Sequence, residues 1–202
     1  MKFLFTGFDP FNFEKVNPST LAVEALPDKI GEHEIVKKYL PTSYERAPKM
    51  LLEAIEEHKP DFVICVGLAG RRKNVELEFC ALNMADALVP DNDGVIKNGV
   101  PVIPESDVTA YFSDLDLKGA KVAVNRQRIF CEISYHAGTY VCNTLYFYLL
   151  HACQNSHMGG LFVHVPYLPE QAEAQKTFFC PSMPLEDDVK ALTALVEFLG
   201  NK

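Results

Sequence analysis

The chain has 202 residues, 48% hydrophobic and 23% charged, with 27 acidic against 19 basic residues and a formal net charge of −8. These are globular proportions, sufficient for one large core. The acidic balance argues against a nucleic-acid or anionic-membrane partner, since the densest basic run is only Arg71-Arg72-Lys73. Six cysteines are scattered without a Cys-x-x-Cys pair or zinc-site spacing, so neither a disulfide framework nor a bound metal is expected. Met1-Lys2-Phe3-Leu4-Phe5 enters a strand directly, without the layout of a signal peptide, and no apolar run is long enough to span a bilayer. A cytoplasmic protein is expected.

Lys2 to Thr6 reads as a buried first strand. The loop after it carries Phe8, Phe11 and Phe13 within seven residues. Loops are usually polar, so these rings either wall a pocket or an interface or fold back into the core. Asn17 caps a helix running through Leu26, with Pro18 in its first turn. Glu34 to Leu40 reads as the second strand, broken by Pro41-Thr42-Ser43. Ser43 or a neighbour then caps a helix with Ala47, Met50, Leu51, Ala54 and Ile55 on one face, ended by Lys59-Pro60. Asp61 to Gly67 is almost continuously apolar, as a central parallel strand covered on both faces should be. Strand, helix and strand in this order imply a right-handed crossover. The expected fold is a single α/β domain over residues 1–202, three-layered α/β/α, with a twisted, mostly parallel central sheet.

Gly67-Leu68-Ala69-Gly70-Arg71-Arg72 follows, at the strand end where open α/β sheets bind ligands. It lacks both G-x-G-x-x-G and the G-K-[ST] ending, so no nucleotide cofactor is expected. Val75 to Leu82 alternates, with Glu76 and Glu78 on one face and Val75, Leu77 and Phe79 on the other. The two carboxylates are either a solvated face or, if they line a cleft, partners for a histidine. Pro90-Asp91-Asn92-Asp93-Gly94 is turn chemistry, and the region to about Pro104 reads as an irregular hairpin. Ser106 starts a short predicted helix through Phe112. Leu117 to Gln127 is ambiguous, with helix preferred.

Ile129 to Ile133 reads as a short buried strand. From Thr139 the pattern becomes helical, with Thr139 as the predicted N-cap. That puts Cys142 in the first turn, where orphan N–H groups and the helix dipole favour an anion and should lower the thiol pKa. The alternative for Cys142 is an inert core filler. Asn155 to Gly160 is a loop. Leu161 to Pro166 is another buried strand with His164 near its end, either a hydrogen-bonded core residue or a catalyst. Leu185 to Leu199 is an amphipathic C-terminal helix.

Five stretches taken together resemble the pyroglutamyl-peptidase I family of cysteine peptidases. They are Thr6-Gly7-Phe8-Asp9-Pro10-Phe11 with Asn17-Pro18-Ser19; Gly67-Leu68-Ala69-Gly70; Pro90-Asp91-Asn92; Ala137-Gly138-Thr139-Tyr140-Val141-Cys142-Asn143; and Val163-His164-Val165-Pro166 with Leu168-Pro169-Glu170-Gln171. Each is weak alone; in order and at these separations they form a specific match over nearly the whole chain. The resemblance implies removal of N-terminal pyroglutamate from peptides, with Cys142 as nucleophile, His164 as general base and acid, and Glu78 orienting the histidine. It implies that Phe8 and Phe11 enclose the lactam ring, with Asn17, Thr42 and Val141 nearby. It also implies a homodimer or homotetramer. Three positions depart from the family: Phe79 and Leu88 stand where it usually has arginine, and Arg71 where it usually has glycine. The lost arginine at Leu88 would lie near the nucleophile, which implies a slower enzyme or one with altered pH dependence. Two other readings compete: a homologue that binds pyroglutamyl ends without cleaving them, and a nucleoside- or phosphate-binding enzyme on a similar scaffold.

Overall fold

The computed structural model describes residues 1–12, 14–154, 156–175 and 180–201. Phe13 of the aromatic loop and Asn155 of the loop before the last strand lie outside them. The chain runs β1 (Lys2–Phe8), α1 (Pro18–Ala25), β2 (Lys29–Ile30), β3 (His33–Leu40), α2 (Arg46–His58), β4 (Phe62–Leu68) and β5 (Val75–Glu78). It continues β6 (Cys80–Leu82), β7 (Ala110–Phe112), α3 (Leu117–Arg126), β8 (Cys131–Ser134), α4 (Val141–Cys153), β9 (Gly159–Val165), α5 (Pro169–Ala174) and α6 (Leu185–Gly200).

Seven strands form one sheet in the order β2-β3-β1-β4-β9-β5-β8. β3, β1, β4 and β9 are mutually parallel. β5 is antiparallel to β9 but parallel to β8. β6 and β7 pair separately. The period-2 geometry of strands sorts the apolar side chains into two cores. Phe3 and Phe5 of β1, Ile64 and Val66 of β4, and Leu161, Val163 and Val165 of β9 face α1, α3 and α6. Leu4 and Phe8, Val63 and Cys65, and Phe162 face α2 and α4. The result is the expected three-layer α/β/α arrangement. The same alternation puts His164 of β9, and Glu76 and Glu78 of β5, on the α4 side.

Several local expectations are corrected. Residues 106–109 form no helix, and Ala110–Phe112 is strand β7 against β6. The single strand read over Val75 to Leu82 is two strands in two sheets. At the break the Phe79 N–H donates to the Ser134 carbonyl (2.7 Å), while the Phe79 carbonyl accepts from the Ser113 N–H (2.8 Å). Alternation continues through the break, so the pattern alone does not mark it. Thr139 does not cap α4. Its hydroxyl donates to the Asp86 carbonyl (2.7 Å), and Tyr140 occupies the cap position with no side-chain hydrogen bond. Asn17 does cap α1, accepting from the Ser19 N–H. Among the described residues no helix is long and apolar enough to cross a membrane.

Candidate active site

The start of α4 is held by its own neighbours. Asn143 is fully buried; its Oδ1 accepts from the Leu82 N–H (2.8 Å) and its Nδ2 donates to the carbonyls of Leu82 and Met84 (both 2.9 Å). The Asp86 N–H donates to the Thr139 carbonyl (2.9 Å), and the Tyr140 hydroxyl to the Pro90 carbonyl (2.8 Å). These bonds fix the loop ahead of Cys142, whose Sγ lies over Gly67 of β4. A Cβ on Gly67 would come within 2.8 Å of the Phe162 ring and 3.1 Å of that sulfur. Glycine here is a requirement of close approach rather than of chain flexibility.

His164 pairs in register with Gly67 on one side and Glu76 on the other. Its ring packs on Phe162 with centroids 4.8 Å apart. Nδ1 lies 2.7 Å from Oε1 of Glu78. An ionised carboxylate only accepts, so Nδ1 carries the proton and Nε2 is left for the hydrogen bond with Cys142. Burial alone would lower the histidine's pKa. The hydrogen bonds to Cys142 and Glu78 outweigh it and push His164 up to about 10.

The ambiguity between the two glutamates is resolved by geometry. Glu78, 1% exposed, faces His164, and its backbone carbonyl accepts from the Tyr146 hydroxyl (2.8 Å). Glu76 instead accepts from Nη1 of Arg72 (3.2 Å), and burial raises its pKa.

A cleft of about 240 Å³ opens above this row. All eight residues singled out in the sequence line it: Cys142, His164, Glu78, Phe8, Phe11, Asn17, Thr42 and Val141. Phe8 is buried with its ring 6.4 Å from that of Phe162, and Phe11 packs 6.1 Å from Tyr140. Asn17 Nδ2 (3.0 Å) and Thr42 Oγ1 (3.2 Å) both donate to the Asp9 carbonyl, drawing the aromatic loop over the strand ends. Those side-chain donors shape the wall. Arg72, His136 and Tyr140 also line the cleft, and the sequence reading had not singled them out. Proximity to the motif, Tyr140 and His136 preceding Cys142 by a few residues, was the available signal. The departing positions lie elsewhere: Leu88 is 98% exposed, and Phe79 packs against Phe112 and Tyr135.

A thiol on α4 beside an imidazole on β9 that is itself hydrogen-bonded to a carboxylate on β5 is the arrangement of a cysteine hydrolase. Over residues 1–201 the sequence matches the family model for pyroglutamyl peptidase. It is 42% identical over 199 residues to a pyrrolidone-carboxylate peptidase of Enterococcus faecalis, covering 98% of this chain and 92% of that one. It is 43% identical to one from Thermosipho africanus, covering 98% and 96%. The structure superimposes on pyroglutamyl peptidase I from Bacillus amyloliquefaciens with a TM-score of 0.93 at 37% identity, covering 100% of this chain and 97% of the other. The chain belongs to the pyroglutamyl peptidase family.

Proposed function

We propose that this protein removes an N-terminal pyroglutamyl residue from peptides by acyl transfer, with Cys142 as nucleophile, His164 as base and acid, and Glu78 holding the imidazole. The observation that carries this reading is His164, hydrogen-bonded to Glu78 and lining the same aromatic-walled cleft as Cys142. The Cys142 sulfur attacks the pyroglutamyl carbonyl, and the charge that develops on oxygen meets the uncapped N–H groups at the start of α4. His164 passes its proton to the departing amine as the C–N bond breaks. Water, losing a proton to His164, then attacks the thioester and releases pyroglutamate and the thiol. Phe8 and Phe11 suit a flat, uncharged five-membered ring, with Asn17, Thr42 and Val141 completing its enclosure.

Hydrolysis of a fluorogenic pyroglutamyl amide, wild type beside Cys142→Ser, tests the reading. Turnover that vanishes in the variant is the expected result; a folded, reduced wild type without turnover overturns it. Leu88 and Phe79, in place of arginines usual to the family, favour the second reading, a homologue that binds without cleaving. Iodoacetamide separates the two, because a merely structural thiol reacts slowly, near pH ~8.5.

The chain works, on this reading, as one domain over residues 1–202, in the cytoplasm, as a homodimer or homotetramer. Exposed apolar side chains support self-association: Met84, Leu88, Val89, Ile96, Val100 and Val108 all fall in one segment.

A further inference from the structure

We infer that Arg72 and His136 recognise a carboxylate on the first residue of the leaving peptide, so that the enzyme prefers pyroglutamyl substrates with an acidic residue, or the peptide's own C-terminus, at that position. This rests on the activity proposed above.

The sheet order gives the cleft a direction. The ring wall comes from Phe8 at the end of β1 and Thr42 just past β3. Cys142 stands over β4, and His164 comes next, on β9. His164 protonates the departing nitrogen, so the leaving residue lies on the side of β9 and β5, away from the ring wall. Strands are spaced by about 4.8 Å, and one extended residue spans about 3.5 Å. The first leaving residue therefore reaches the cleft wall built from the β4–β5 connection and the loop after β8. Those two segments contribute Arg72 and His136.

Both side chains are prepared as donors. Arg72 is anchored through Nη1 to the buried Glu76, yet its side chain remains 48% exposed, leaving other guanidinium N–H groups for a ligand. His136 accepts the Gly138 N–H at Nδ1 (3.2 Å), so in the neutral ring Nε2 carries the proton. Of the carboxylates on this side, Glu78 engages His164 and Glu76 engages Arg72 through one oxygen each, and among the described residues the other oxygen of each is buried without a partner; Glu132, in register with Glu76, is exposed. The exposed polar donors that line the cleft on this side are the Arg72 guanidinium and the His136 imidazole N–H, while the nearby Glu78 side chain is buried, and a carboxylate would satisfy both donors.

The test compares four substrates: pyroglutamyl-alanine amide, pyroglutamyl-glutamate α-amide, pyroglutamyl-lysine amide, and pyroglutamyl-alanine with a free C-terminus. In wild type, kcat/KM for the glutamate amide or the free acid is expected to exceed that for the alanine amide by about fivefold, as exposed charge-assisted contacts permit, with lysine below alanine. The glutamate and free-acid arms tell a side-chain carboxylate from a terminal one. Arg72→Ala and His136→Ala should each lower the carboxylate-to-alanine ratio, the double variant should bring it to about one, and Arg72→Lys should retain part of it. Equal cleavage of all four by wild type, or ratios unchanged in both alanine variants, overturns this inference alone. Failure to cleave any of the four overturns the proposed activity, and this inference with it.

Discussion

At the scale of single residues, the chemistry is set by His164. Its pKa, near 10, means that the imidazolium persists well above neutrality while Cys142 and Glu78 face it. The alkaline limb of kcat/KM should therefore fall near pH 10. Glu78→Gln replaces the carboxylate that helps raise the pKa with a neutral amide. It should shift that limb to lower pH and reduce kcat by about 10²–10⁴-fold. An unmoved limb would show that Glu78 does not tune the histidine. Linkage gives the sign for stability. The folded state binds this proton more tightly than an unfolded chain with histidine near ~6.5. The stabilisation is thus whole below ~6.5 and lost as pH rises through about 10. Leu88 makes the opposite kind of test. Leu88→Arg adds a cation to an exposed site on the segment bonded to the loop ahead of Cys142. It should raise kcat/KM by about threefold or more; a folded variant with no gain would show that the substitution is neutral here.

At the scale of elements, close packing of β4, β9 and α4 aligns the site. Gly67→Ala drives a methyl into the Phe162 ring and toward the Cys142 sulfur. It should destabilise by about 1–3 kcal/mol and reduce kcat at least tenfold or so through misalignment, measured by thermal melting and steady-state kinetics. α6 contains the opposite of a satisfied site. Asp188 is fully buried in its first turn, neither carboxylate oxygen has a partner among the described residues, and burial pushes its pKa up to about 8. The unfolded carboxyl titrates near ~3.9, so the folded state holds the extra proton between. Stability therefore declines as pH rises from ~4 to about 8 and flattens above. Asp188→Asn should remove that decline; a pH–stability curve identical to wild type would refute the assignment.

The elements that position the triad were legible in the sequence because burial and geometry leave plain marks there. β4 and β9 are continuous apolar runs, and the alternation in β5 put Glu76 and Glu78 on one face. The choice between those two was not legible. Cross-strand register places Glu76 opposite His164, and only the side-chain reach of Glu78 and the competing Arg72 decide it. β6 was read as the tail of β5, because alternation runs on through the break, and β7 as the end of a helix, because a three-residue strand is too short to set a period. The cap at Thr139 failed because a tertiary carbonyl, that of Asp86, competed for its hydroxyl.

At the scale of the whole molecule, the order in which the strands leave the chain differs from the order in which they sit. β9 is the last strand in sequence yet lies between β4 and β5, near the centre of the sheet. It also carries His164, which is 86 residues from its partner Glu78. A growing chain that has passed Cys142 and Glu78 has a thiol and a carboxylate but no base between them, and an open slot where β9 belongs. Pairings of such high contact order form late. Peptidase activity is therefore an all-or-none report on completed folding. In a refolding experiment, turnover should return with the slowest phase of fluorescence recovery and never before it, so that no half-made chain can act on peptides around it.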